Sequence, residues 1–104
     1  MNELNNMHAE MCKVFTNPTR IEVPNLLRGG AMSVSELIEK TKLSQSNISQ
    51  HLSIMKNKGI VQSRRDGKKI YYELTNKKII QAFDIIREVL SDTLRKKSNL
   101  VKNR

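Results

Sequence analysis

The sequence predicts one mostly α-helical domain that carries a single small β-hairpin. Three observations predict it. Five segments repeat apolar residues at offsets of three and four, the helical spacing. Two β-prone runs flank Asp66-Gly67, a hairpin signal. A chain of 104 residues suits one core rather than two. With 38% hydrophobic and 4% aromatic residues, that core must be aliphatic.

The first helix is expected over residues 3–15, where Leu4, Met7, Met11, Val14 and Phe15 form a stripe that Ala9 and Cys12 widen. Asn17-Pro18 starts the second: Asn caps free amides, and Pro at the first position has no amide to leave unpaired. Ile21, Val23, Leu26 and Leu27 follow before Gly29-Gly30 ends it. Pro24 lacks the amide that would bond the Arg20 carbonyl, which predicts a kink or a broken helix. Ser33-Val34-Ser35-Glu36 reads as a capping box opening a third helix that ends near Lys42. Ser44 caps a fourth, with Ile48, Leu52 and Met55 turned inward and Gly59 closing it. Its other face offers Gln45, Ser46, Asn47, Ser49, Gln50 and Ser53, neutral groups with short hydrogen-bonding arms.

The hairpin runs through residues 60–74, with Ile70, Tyr72 and Leu74 alternating toward one face and Arg64, Arg65, Lys68 and Lys69 around its tip. A last helix begins at Thr75 or Asn76 and carries Ile79, Ile80, Phe83, Ile86, Val89, Leu90 and Leu94. Residues 95–104 hold five basic side chains and no acid, and are expected to be a flexible tail beyond a domain of residues 1–94.

The third and fourth helices, joined by a short turn at Leu43-Ser44, form a helix-turn-helix, and the hairpin stands where a wing would. The expected architecture is therefore a winged helix-turn-helix, α-α-α-α-β-β-α. In such a unit the second helix enters the major groove and its N-terminal residues approach base edges. Gln and Asn offer paired donors and acceptors there, and Ser offers either. Nineteen Lys and Arg against ten Asp and Glu leave a net charge of +9, which suits a polyanionic partner. The expected DNA contacts are Ser44, Gln45, Ser46, Asn47, Ser49 and Gln50 on the helix and Arg64, Arg65, Lys68 and Lys69 on the wing. His51 follows that face but precedes the core Leu52, and reads as a packing or phosphate-facing residue.

Six short motifs, in order and at fitting separations, resemble the arsenic-repressor (ArsR/SmtB) family. They are Asn17-Pro18-Thr19-Arg20-Ile21, Ser33-Val34-Ser35-Glu36-Leu37, Leu43-Ser44-Gln45-Ser46, Ser49-Gln50-His51-Leu52, Gly59-Ile60-Val61 and Tyr71-Tyr72-Glu73-Leu74. The resemblance spans residues 11–90 and implies a dimeric repressor binding an inverted-repeat operator; Pro24 departs from the aliphatic residue usual there. It does not carry the family's sensor chemistry. Where thiolate sensors resemble Cys-Val-Cys-Asp-Leu-Cys, this chain has Ser33-Val34-Ser35-Glu36-Leu37-Ile38, and serine hydroxyls are poor ligands for soft metals. At the last-helix metal positions the nearest residues are Asn76, Lys78, Val89 and Asp92, of which only Asp92 could bind a metal. No metal or cofactor is expected, and no inducer is implied.

Neither the first nor the last apolar stripe has enough chain left to cover it, so a homodimer is expected through Leu4, Met7, Met11, Ile79, Phe83, Ile86 and Leu90. Cys12, the one cysteine, excludes an internal disulfide and is expected to be a buried apolar thiol. Met7, His8, Met11 and Cys12 put soft groups on one helix face, but methionines in a stripe are usually core filler. No apolar run approaches ~18 residues, and residues 1–10 lack a basic region followed by an apolar stretch, so the expectation is a cytoplasmic protein without a membrane partner. No paired carboxylates, activated nucleophile or glycine-rich phosphate loop points to an enzyme. The competing reading is an architectural or general nucleic-acid-coating protein, which the basic tail favours.

Overall fold

The computed structural model describes residues 2–102. Helix α1 (Glu3–Val14) is capped by Asn2, whose side chain accepts from the Leu4 and Asn5 amides. Helix α2 (Pro18–Leu26) opens on Pro18, with the Asn17 side chain accepting from the Thr19 amide at 2.9 Å. A 3₁₀ turn over Leu27–Gly29 and a two-residue strand β1 (Met32–Ser33) lead into α3 (Val34–Thr41). Helix α4 (Gln45–Asn57), strands β2 (Val61–Asp66) and β3 (Lys69–Leu74), and α5 (Lys78–Lys102) complete the chain.

The capping box is complete: Ser33 Oγ accepts from the Glu36 amide while Glu36 Oε1 accepts from the Ser33 amide. Ser33 is itself buried, and its bonds remove what would otherwise be an orphaned hydroxyl. Helix α3 ends on Lys42 at φ 62, the one non-glycine residue with positive φ among those described. That conformation costs an L-residue about 1 kcal/mol or more, and it turns the chain sharply into α4. Helix α4 ends in a Schellman motif. Gly59 at φ 74 donates to the Lys56 carbonyl, and Ile60 donates to the Met55 carbonyl at 2.9 Å.

Among the described residues, twelve buried apolar side chains form the core, drawn from all five helices and the sheet. Val23, Leu37, Ile48 and Met55 are wholly enclosed at its centre. The expected break at Pro24 does not occur there. The helix runs two residues further and tightens into the 3₁₀ turn, with the Leu27 amide reaching the Val23, Pro24 and Asn25 carbonyls. The proline ring is fully buried, and Asn25 Nδ2 donates to the Ile21 carbonyl at 3.2 Å one position past the missing bond.

Four further expectations need correction. The wing is a three-stranded antiparallel sheet in the order β1-β3-β2, because Met32 and Ser33 pair with Tyr72 and Tyr71. Its two-residue loop is Gly67-Lys68, since Asp66 pairs with Lys69. Gly67 at φ 64 followed by a residue of negative φ fits a type II′ turn, with Gly at its first central position. The helix expected to stop at Leu94 continues to Lys102, so residues 95–102 are helical; Asn103 and Arg104 of the expected tail lie outside the described residues. Cys12 is exposed rather than buried, because α1 docks on the core only through its last turn, at Val14.

Helix α5 is anchored near its start. Phe83 meets Phe15 edge-on, ring centroids 4.9 Å apart. Phe83 is therefore core of its own protomer and is withdrawn from the expected dimer surface, and Ile79 is half-buried against the same core. Arg28 clamps Asp84 with both terminal nitrogens, at 2.9 and 3.2 Å. The Arg28 hydrogen bond holds the Asp84 carboxyl below its ordinary range. A carboxyl with a depressed folded-state pKa contributes stability above its unfolded value and loses it as pH falls. Thermal melts from pH 7 down to 3 are thus expected to show a smaller acid-induced fall for Asp84→Asn than for the parent. Parallel acid arms would mean that the pair contributes nothing.

Candidate nucleic-acid interface

Ile48, Leu52 and Met55 fix α4 against the core, and that fixes what it presents outward. At about 3.6 residues per turn, Ser46, Gln50 and Ser53 lie opposite the buried stripe, with Gln45 and Ser49 on one shoulder and Asn47 on the other. All six are exposed. Ser44 is the N-cap: its hydroxyl accepts from the Asn47 amide at 3.2 Å and lies 3.2 Å from the Ser46 hydroxyl. Helix α4 therefore opens with a row of hydroxyl and amide groups, and no Asp, Glu, Lys or Arg lies in its first three turns.

His51 lies half-buried on the flank of α4 toward α2. Arg20 Nη1 is 3.3 Å from its Nδ1, which assigns the imidazole proton to Nε2. Burial, and after it the Arg20 charge, holds the ring below the ordinary histidine range, so it stays neutral and able to accept. Of the two expected placements of His51, packing or phosphate-facing, its half-buried contact with Arg20 fits the packing one.

The wing brings Arg64, Arg65, Lys68 and Lys69 together as exposed cations on one hairpin. Alternation separates them. Arg64 shares a face with Tyr71, and its guanidinium lies 5.2 Å from that ring's centroid, a cation–π contact. Arg65 pairs with Ile70 on the opposite face, the one that runs back to buried Val61 and Leu74. Lys68 sits in the turn. Lys56 near the end of α4 donates to Ser63 Oγ at 2.8 Å, tying the polar helix to the basic hairpin. The sequence reading missed both Lys56 and the Arg64–Tyr71 pair. Cross-strand register would have found the second; only the fold brings Lys56 to Ser63.

The expected contacts of the other surface divide. Leu4 and Met7 are more than 60% exposed, and Met11 is 38% exposed. On α5, every residue from Ile85 to Asn99 is exposed, including Ile85, Ile86, Val89, Leu90 and Leu94. Two apolar stripes thus lie bare on the protomer.

The sequence profile of bacterial regulatory proteins of the arsR family matches residues 17–63. An uncharacterised HTH-type transcriptional regulator of Methanocaldococcus jannaschii is 34% identical over 82 residues, spanning 78% of this chain and 92% of that protein. The transcriptional repressor PagR of Bacillus anthracis is 38% identical over 72 residues, 68% of this chain and 72% of PagR. Among solved structures, Rv0081 of Mycobacterium tuberculosis superposes with a TM-score of 0.83 at 32% identity, covering 93% of this chain and 98% of that one. The domain of Mb0332 from Mycobacterium bovis, described as a homodimeric winged helix-turn-helix DNA-binding domain, gives 0.78 at 25% identity, with 88% and 84% covered.

Proposed function

The chain belongs to the arsR family of bacterial regulatory proteins, winged-helix regulators of transcription, and from that premise we propose that it is a homodimeric repressor reading an inverted-repeat operator. Helix α4 enters the major groove of each half-site and reads bases with Gln45, Ser46, Asn47, Ser49 and Gln50. The wing grips the flanking backbone with Arg64, Arg65, Lys68 and Lys69. The observation that carries this reading is the division of labour between adjoining surfaces: α4 is polar and neutral outward, and the hairpin joined to it by Lys56 is cationic. Neutral side chains with paired donors and acceptors discriminate bases, whereas cations neutralise phosphates without regard to sequence. Homodimer formation is supported by the bare stripes of α1 and α5 and by the homodimeric Mb0332 domain of like fold.

Two variant classes separate these roles. Gln45→Ala or Gln50→Ala is expected to reduce preference for the operator over a shuffled duplex by about 1–3 kcal/mol. Arg65→Ala or Lys68→Ala is expected to weaken binding to both duplexes and to lower the salt slope by about 1. Fluorescence anisotropy across a salt series reads both. Unchanged discrimination in the glutamine variants would remove α4 from the groove.

A further inference from the structure

Arg20 belongs neither to the DNA-facing surface nor to the bare stripes, yet three helices meet at its guanidinium. It lies in the first turn of α2, half-buried. Its Nε donates to the Val14 carbonyl at 2.7 Å. That carbonyl closes α1, and the residue four positions on is Pro18, which has no amide to offer it. Its Nη1 reaches His51 on α4, thirty-one residues away in sequence. One planar cation therefore joins the end of α1, the start of α2 and the middle of α4. Glu10 and Lys58 add a second tie from α1 to the end of α4 at 3.7 Å, but the pair is open to water and holds little alone.

We infer that Arg20 is a positioning residue for DNA reading, whose forked bond to Val14 and His51 sets the rotation of α4 about its own axis. The inference rests on the function proposed above. Ile48, Leu52 and Met55 anchor α4 by apolar contact, which is strong but non-directional. A hydrogen bond is directional and resists rotation that aliphatic packing tolerates. Rotation of α4 moves Gln50, next in sequence to His51, and Asn47 one turn before it. The other end of the fork is the carbonyl of α1, the helix that carries bare Leu4, Met7 and Met11, so the reading helix is aligned to the element that would meet a second copy. A lysine here has one ammonium on a flexible stem and cannot reproduce the fork.

The test uses the full-length protein, an operator selected from random DNA, and a shuffled duplex of the same length. Arg20→Lys is expected to weaken operator binding about tenfold, the scale of one hydrogen bond to a charged group, and to change shuffled-duplex binding by less than about twofold. The salt slope stays that of the parent. His51→Leu is expected to act alike, and the double variant to be no weaker than either single one. The second variant carries the test if the first lowers the melting temperature below the assay. Additive losses in the double variant, equal losses on both duplexes, or a lowered melting temperature with intact operator binding would each overturn the positioning role. A parent protein that selects no operator would overturn the functional reading itself, whereas an operator bound equally by parent and variants would overturn this inference alone.

Discussion

Leu90→Glu is expected to turn a dimer into a monomer and to weaken operator binding by at least about a hundredfold. Leu90 is 57% exposed on the protomer and is flanked by Ile86, Val89 and Leu94, equally bare. Covering such a side chain is worth about 1.5–3 kcal/mol per copy. A carboxylate in its place would enter an apolar interface unpaired, at a further cost of several kcal/mol. The sum exceeds about 4 kcal/mol, or a thousandfold in the dimer constant. Operator affinity falls with it because a dimer binds its second half-site intramolecularly, an advantage of about 10²–10⁴. The protomer's own core ends at Phe83 on this helix, so the variant still folds. Sedimentation at micromolar concentration reads the first effect and anisotropy the second. A persistent dimer would move the interface away from α5.

Leu52→Ala is expected to destabilise the domain by about 2–5 kcal/mol. Leu52 is 1% exposed and lies between Ile48 and Met55 in the buried stripe of α4. Truncation leaves a cavity that the enclosed neighbours fill only in part. Against a total of about 5–15 kcal/mol, that is a large fraction of the stability. Ser53→Ala, next in sequence and outward-facing, is expected to stay within about 0.5 kcal/mol. Denaturant midpoints compare the two. A loss below about 1 kcal/mol in Leu52→Ala would mean that α4 is seated otherwise.

Features held by bonds within a few residues were legible in the sequence. Asn17 and Ser44 cap, Ser33 and Glu36 form a reciprocal box, and Gly59 turns the chain, because each of these bonds spans two to four residues. The polar face of α4 was legible for the same reason: placing Ile48, Leu52 and Met55 inward leaves no choice about what points outward. Long-range pairing was not legible. Strand β1 is two residues without periodicity, and it exists only because β3 lies beside it. The hairpin loop falls one residue later than Asp66-Gly67 suggests. Val61 and Leu74 are both buried and paired, and counting inward from them leaves Gly67 and Lys68 unpaired at the end. Phe83 was misplaced because one helical stripe on α5 serves two surfaces. Its first turns pack on Phe15, and its apolar residues from Ile85 to Leu94 are exposed on the protomer. Arg20 and His51 carry no local signal of their contact. Continuation of α5 through residues 95–102 was hidden because charge alone does not end a helix, and neither Gly nor Pro interrupts that run.

The central claim is that two copies of this chain read DNA by sequence through α4. Selection of bound duplexes from a random pool tests it most directly, at a salt concentration high enough to suppress phosphate-only binding. The account predicts a consensus of two inverted half-sites whose centres lie one helical turn, or a whole multiple of it, apart along the duplex. A pool that remains random after repeated rounds, while the protein still binds it, would contradict the account and leave a general coating protein in its place.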